Sequence, residues 1–155
     1  MYAHDTSVPV ERSRAEIESV VLKYGAKKFA TGYDETAATI LFEAGGRRVR
    51  FRLPFPDVNA EQFQYTKHSA RHHRKRVSPS VAKTNYEKEV RRRWRCLNLA
   101  VKAKLEAVET GIATFEEEFL AYIVMPDGKT VGDTALPHIE RAYVENAPMA
   151  LLRGW

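Results

Sequence analysis

The sequence lacks the features of a membrane or secreted protein. Its 155 residues include one cysteine, Cys96, which excludes an internal disulfide framework and favours a reducing compartment. No apolar run approaches the roughly 18 residues that a membrane-spanning helix needs. The N-terminal residues 1–9 are polar and contain no signal-peptide core. We therefore expect a cytoplasmic protein with no membrane partner.

Acidic residues are nearly absent from residues 67–95. This block holds two acids, Glu87 and Glu89, against eleven lysines and arginines, a net charge of +9. Residues 1–66 are neutral, and residues 96–150 carry a net charge of −5. A concentrated block of cations is a better site for a polyanion than the same charge spread evenly. The charge pattern therefore predicts a polyanionic partner, and nucleic acid, DNA or RNA, is the first candidate.

The first part of the chain predicts a helix followed by strands. The segment Ser13-Arg14-Ala15-Glu16 has the form of a capping box, apolar residues recur after it at helical spacing, and Gly25 supplies a helix end. Strand-like runs follow at residues 27–33 and 38–43.

A third strand follows Gly45-Gly46, which offers a tight hairpin turn. Apolar and basic residues alternate in it, so one face points to the core and the other to solvent. The solvent face carries three arginines: Arg48, Arg50 and Arg52.

The second half of the chain predicts a loop followed by helices. Residues 57–85 have no sustained period and are expected to form a long, flexible basic loop. An apolar stripe then predicts a long amphipathic helix over residues 86–109. A capping box at Thr114 opens a shorter helix, and residues 136–145 predict a last helix with Ile139 and Tyr143 pointing inward. The fold class is α+β, in a single domain spanning residues 1–155: a three-stranded antiparallel sheet preceded by one helix and followed by one long and two shorter helices.

Three segments resemble small uncharacterised proteins encoded by bacteriophages and prophages: GRRVRFRLP at residues 46–54, WRCLNLAVKAKLEAVE at 94–109 and PHIERAY at 137–143. The resemblance implies a phage or prophage programme in the cytoplasm of a bacterial host, and it transfers no site residues. The order of a helix, three strands and a helix with a basic start is also similar to that of the double-stranded-RNA-binding module. That module is compact, whereas this chain carries residues 57–85 before its long helix.

The predicted nucleic-acid contacts lie in the basic block and on the third strand. Lysine and arginine neutralise phosphates, and arginine adds bidentate geometry. The predicted contacts are Arg48, Arg50, Arg52, Arg71, Arg74, Lys75, Arg76, Arg91, Arg92 and Arg95. They are expected to form one contiguous exterior region that no carboxylate of the same chain neutralises. Nearby aromatic residues would stack on bases: Phe29, Tyr33 or Tyr65. No recognition helix is evident, so we expect weak sequence preference.

Two alternatives to a non-catalytic nucleic-acid-binding protein remain open. The first is an inhibitor or assembly factor that engages a host or phage protein through the basic loop or the C-terminal tail, which ends in Trp155. The second is a metal-dependent nuclease, in which the carboxylates of Asp127 and Asp133 would hold the ion with Lys129 beside them.

Catalysis is the less expected role because the residues it needs are not grouped. The pair His68 and His72 has no second ligand pair for a metal, and Cys96 has no assignable histidine partner. We therefore expect no bound metal and no cofactor.

Overall fold

The structure has the predicted α+β architecture. The computed structural model describes residues 6–68 and 73–149. Its elements in chain order are α1 (Val10–Lys23), β1 (Lys28–Tyr33), β2 (Ala37–Ala44), β3 (Arg47–Pro54), α2 (Glu61–Gln64), α3 (Pro79–Glu109), α4 (Phe115–Phe119), a 3-10 turn (Leu120–Tyr122) and α5 (Val131–Glu145). Among the helices described, none combines the length and the hydrophobicity of a membrane span.

The three strands form one antiparallel sheet in the order β1-β2-β3. Gly45 and Gly46, with φ of 58° and 72°, make the turn between β2 and β3, because glycine adopts these left-handed conformations without a steric penalty. Phe42 of β2 pairs with Val49 of β3, and both side chains are buried. The residues that alternate with them therefore point to the opposite face of the sheet.

Helices α1 and α3 cover the apolar face of the sheet. Ile17 of α1, Trp94 of α3 and Phe119 of α4 are buried in one core with Phe42. The rings of Phe42 and Phe119 meet edge to face with their centroids 5.9 Å apart, a favourable geometry for aromatic pairs. Because the helices pack on one side only, most of the other face of the sheet is left open.

The predicted capping box at Ser13 is wrong, because α1 begins a turn earlier, at Val10. Val10 packs against the core, and Ser13 is fully buried inside the helix. Gly25, with a φ of 95°, follows the end of α1 as predicted. Glu16, the expected partner of Ser13, instead faces α3.

Helix α3 begins at Pro79, well before the predicted start at residue 86. Ser78 is its N-cap and accepts a hydrogen bond from the backbone N–H of Val81. Serine at the N-cap followed by proline is a common helix start. Residues 57–85, predicted to be one loop, therefore contain α2 and the first turns of α3. The rings of Phe63 and Tyr86, 5.6 Å apart, hold α2 against α3.

Two capping boxes set the starts of the C-terminal helices. Thr114 caps α4 as predicted, and Thr130 caps α5, which begins at Val131 instead of near residue 136. Helix α5, described over its whole length, has no buried residue. Ile139 and Tyr143 are 39% and 85% exposed, so the prediction that they point inward is wrong. The physical reason is that α5 packs mainly against the 3-10 turn and not against the sheet.

The contact between α5 and the 3-10 turn depends on Gly132. A Cβ atom there would lie 2.8 Å from the backbone oxygen of Ala121, which has no flexible end that could move away. We expect Gly132→Ala to lower the free energy of unfolding by about 1–3 kcal/mol and to speed amide hydrogen exchange in α5. Thr134→Ala, at an exposed position of the same helix, is the matched control. Equal exchange in the two variants would contradict this close contact.

Candidate nucleic-acid interface

The structure separates the predicted nucleic-acid contacts into groups on different parts of the molecule. The first group lies on the open face of the sheet: Arg48, Arg50 and Arg52. The second belongs to α3, which packs on the opposite face: Arg91, Arg92 and Arg95. The third precedes α3: Arg74, Lys75 and Arg76, whereas Arg71 lies outside the described residues. The expectation of one contiguous basic region is therefore wrong.

Two of the three predicted arginines of α3, Arg92 and Arg95, are engaged within the protein. Arg92 donates hydrogen bonds to both carboxylate oxygens of Glu89, at 2.6 and 2.7 Å, and Arg95 donates one to Glu16 at 2.8 Å. The bonds from Arg92 lower the pKa of Glu89, so the pair stays ionised at neutral pH. Arg91 is half-buried, and its Nε is enclosed without a hydrogen-bond partner among the described residues. Arg92 and Arg95 are therefore held by carboxylates of the same chain and do not form an open phosphate site.

Glu16 connects α1 to α3 at a single carboxylate oxygen. Its Oε2 accepts hydrogen bonds from Asn98 Nδ2 at 2.6 Å, Arg95 at 2.8 Å and Lys102 at 3.2 Å. The amide of Asn98, followed by the ammonium of Lys102, lowers the pKa of Glu16 to about 2. Asn98 is fully buried, so this ionic cluster lies at the edge of the core between the two helices.

Residues 64–68 and 73–77 lie on two segments that pair antiparallel, here called the basic hairpin. The N–H of Val77 donates to the carbonyl of Gln64 at 2.9 Å, and the N–H of Thr66 donates to the carbonyl of Lys75 at 2.8 Å. Residues 69–72 lie outside the described residues. Its exposed basic side chains are Lys67, His68, His73, Arg74, Lys75 and Arg76.

The charge of the basic hairpin is poorly compensated. Arg74 is paired with Glu61 at 2.9 Å. Lys75 and Arg76 have no carboxylate partner within residues 6–68 and 73–149. The guanidinium of Arg74 also lies 5.3 Å from the centroid of the Tyr65 ring, which is partly exposed. The hairpin thus combines unpaired cations with an aromatic face, the two groups that bind phosphates and bases.

The start of α3 adds to this positive field. The first turn of the helix holds no acidic residue. The N-terminus of a helix carries a partial positive charge that favours anions within the first turn. Ser78 directly follows the basic hairpin in the chain. The partial positive charge of the helix N-terminus therefore lies next to the hairpin cations.

The open face of the sheet carries three cross-strand rows. From one end to the other, they are Lys28–Glu43–Arg48, Ala30–Leu41–Arg50 and Gly32–Thr39–Arg52. The arginines form a column along β3, while small or apolar side chains fill most of β1 and β2. A shallow cavity of about 610 Å³ lies over the first two rows.

Two carboxylates contact the cations of this open face. Glu43 is shared by Lys28 at 3.1 Å and Arg48 at 3.6 Å, and these cations, Lys28 first, lower its pKa. Asp133 at the start of α5 is 3.3 Å from Arg50. Each carboxylate is exposed or half-exposed, so water screens both pairs.

Arg52 has a neutral partner. It donates a hydrogen bond to the hydroxyl of Thr36 at 2.9 Å, and that hydroxyl donates to Asp34 at 2.7 Å. Asp34 is also close enough for Arg52 to help lower the pKa of that carboxyl, after the hydrogen bonds from Thr36 and Ala37, so the third row too has an acidic neighbour.

The aromatic residues of β1 do not serve the open face. Tyr33 lies on the helix side of the sheet, where its ring is 6.5 Å from that of Trp94. Phe29 packs against the core from the same side. Of the three predicted stacking residues, Tyr65 lies beside Arg74 in the basic hairpin, whereas the hydroxyl of Tyr33 accepts a hydrogen bond from Arg14 on α1 at 3.1 Å.

The carboxylates proposed for a nuclease serve local structure. Asp127 accepts the backbone N–H of Lys129 at 2.9 Å in a turn. Asp133 accepts the N–H of Thr130 as part of a capping box, and this bond is the main cause of its lowered pKa. In the part of the chain that the structure describes, no three His, Cys, Asp or Glu residues are grouped to hold a metal ion.

Sequence reasoning did not identify the small residues of the open face as part of a surface. Ala30, Gly32 and Thr39 alternate along their strands with residues that face the helices. This alternation is the sequence signal that could have assigned them to the open face. Only the pairing of the strands places these residues beside the arginines of β3.

Comparisons of the chain with family models, curated proteins and solved structures gave no match. The functional argument therefore depends on the chemistry of the two basic surfaces.

Proposed function

We propose that the protein is a non-catalytic nucleic-acid-binding protein and that the basic hairpin makes the main contacts with backbone phosphates. The observation that carries the proposal is the exposed pair Lys75 and Arg76, which has no acidic partner among the described residues. Lysine and arginine that neutralise phosphates release condensed counterions, which drives binding. Phosphates are common to all sequences, so sequence preference is weak.

The proposal uses fewer residues than the sequence predicts. Arg74, Lys75 and Arg76 are its primary contacts, and the arginine column of β3 is a second surface. The arginines of α3 are left out because Arg92 and Arg95 pair with carboxylates of the same chain and Arg91 is half-buried. The phage setting and the bacterial cytoplasm remain predictions from the sequence resemblance.

The direct test is fluorescence anisotropy of labelled single- and double-stranded oligonucleotides with protein purified free of nucleic acid. Three phosphate contacts give an affinity that falls roughly 40-fold when salt is raised from about 50 to about 200 mM. Binding is expected to be similar for oligonucleotides of unrelated sequence. Absence of binding at the lower salt concentration, or an affinity independent of salt, would contradict the proposal.

A second candidate function, interaction with another protein, is favoured by the outer side of α5. Leu136, Tyr143 and Val144 are 64%, 85% and 81% exposed. Apolar residues grouped on one surface often mark a protein contact. If the partner is a second copy, the protein is expected to sediment as a dimer that Leu136→Asp dissociates. A monomer at all concentrations would contradict self-association.

A further inference from the structure

The open face of the sheet has the features of a site for unpaired nucleotides. We propose that a short single-stranded segment lies along β3, with its phosphates on the arginine column and its bases over Leu41 and the small residues around it. The inference rests on the proposed function and names the form of nucleic acid that this second surface takes.

The arginine column has the repeat of an extended nucleic-acid backbone. Residues two apart on one face of a strand lie about 6.6–6.8 Å from each other. This repeat is close to the distance between successive phosphates of an extended strand. Arg48, Arg50 and Arg52 can therefore each contact a successive phosphate, which spans two or three nucleotides.

The neighbouring rows provide space for bases beside those phosphates. Leu41 and Ala30 form an apolar floor under the cavity of about 610 Å³. A second cavity, of about 800 Å³, continues past Arg48 and is bordered by Lys27 and Arg47. The two cavities adjoin, because both are lined by Glu43, Arg48, Val124 and Gly128, and their walls carry several cations and one carboxylate.

An unpaired strand fits this surface better than a duplex. In a duplex the bases are stacked inside, and proteins read them with a helix or a ribbon that projects into a groove. The open face is a shallow recess and does not present a helix or ribbon that could enter a groove. Its floor can contact only bases that are turned outward from their own strand, as in single-stranded recognition.

Phosphates would replace weak internal partners on this face. Arg48 shares Glu43 with Lys28. Arg50 meets an exposed carboxylate of Asp133 and donates a hydrogen bond to the carbonyl of Gly128 at 3.0 Å. Exposed pairs of this kind contribute little to stability. Exchange of these partners for phosphates therefore costs the fold little, and at Arg52 a phosphate would replace the exposed hydroxyl of Thr36.

The test introduces an indole into the floor of the face, with Leu41→Trp. A base that stacks on the indole is expected to quench its fluorescence and to raise the affinity for a short oligothymidylate about tenfold. A duplex of the same length is expected to do neither. The matched control is Leu22→Trp, at an exposed position of α1 on the helix side of the molecule. Its fluorescence is expected to be unchanged by either probe.

A second pair of variants tests the arginine column without changing the floor. Arg52→Gln is expected to weaken oligothymidylate binding several-fold, whereas Arg141→Gln on α5 leaves it unchanged.

The outcomes separate this inference from the proposed function. Quenching by the duplex, quenching in Leu22→Trp, or oligothymidylate binding without quenching in Leu41→Trp would overturn the single-strand site. In the last case the basic hairpin still accounts for binding. If the unmodified protein binds neither probe at low salt, both proposals fail.

Discussion

Glu16→Gln is expected to lower the free energy of unfolding at neutral pH by about 2 kcal/mol. The carboxylate of Glu16 accepts three hydrogen bonds from α3, which lower its pKa from 4.5 to about 2. The full shift corresponds to about 3 kcal/mol, and partial exposure to water reduces it. Glutamine keeps the shape of the side chain but leaves Arg95 and Lys102 without their counter-charge.

The effect of Glu16 should depend on pH in a defined direction. Because the folded protein lowers this pKa, the stabilisation is fully present above about pH 4.5 and is lost as the pH falls towards about 2. The stability difference between the unmodified protein and Glu16→Gln should therefore shrink across that window. Other carboxylates titrate there too, but they are common to both proteins and cancel in the difference.

Urea unfolding of the two proteins at several pH values measures this difference. Glu18→Gln is the matched control, because Glu18 is an exposed carboxylate of the same helix. Glu18→Gln is expected to change the free energy of unfolding by no more than about 0.5 kcal/mol. If Glu16→Gln lowers the free energy of unfolding at neutral pH no more than Glu18→Gln does, the ionic cluster does not hold α1 and α3 together.

Reversal of the two unpaired hairpin cations, in Lys75→Glu/Arg76→Glu, is expected to weaken nucleic-acid binding about 100-fold at low salt. Each substitution removes a phosphate contact and adds a repulsive charge. Both side chains are exposed, so the fold should be unaffected. Anisotropy gives the affinity, and circular dichroism checks the fold.

The control for this experiment changes the net charge by the same amount elsewhere. Lys23 and Arg141 are exposed residues at the end of α1 and on α5. Lys23→Glu/Arg141→Glu is expected to weaken binding only a few-fold, through the overall field of the protein. An equal loss in both variants would mean that net charge, and not the basic hairpin, determines binding.

The local patterns of the sequence were sufficient for the sheet. The Gly45-Gly46 turn and the alternation in β3 fix which residues share a face, because both depend on neighbours in the chain. The start of α3 was misplaced because Ser78 and Pro79 follow a stretch of basic residues that has no period. Their capping signal was present in the sequence, but the apolar stripe becomes regular only later.

The properties of the candidate sites depend on contacts between distant residues. Arg95 and Glu16 are 79 positions apart, so their pairing is visible only after α1 packs on α3. The sequence likewise shows that Arg48, Arg50 and Arg52 share a face, but not that the helices cover the opposite one. Charge counting therefore located the basic segment correctly and could not show which cations would be neutralised.

The salt dependence of binding tests the central claim most directly. The logarithm of the binding constant should fall linearly with the logarithm of salt concentration, with a slope of about −0.9 for each phosphate contacted. The Lys75→Glu/Arg76→Glu variant loses two of these contacts. Its slope should therefore be shallower than that of the unmodified protein by about twice this value. Equal slopes for the two proteins would contradict the claim that the basic hairpin binds the phosphate backbone.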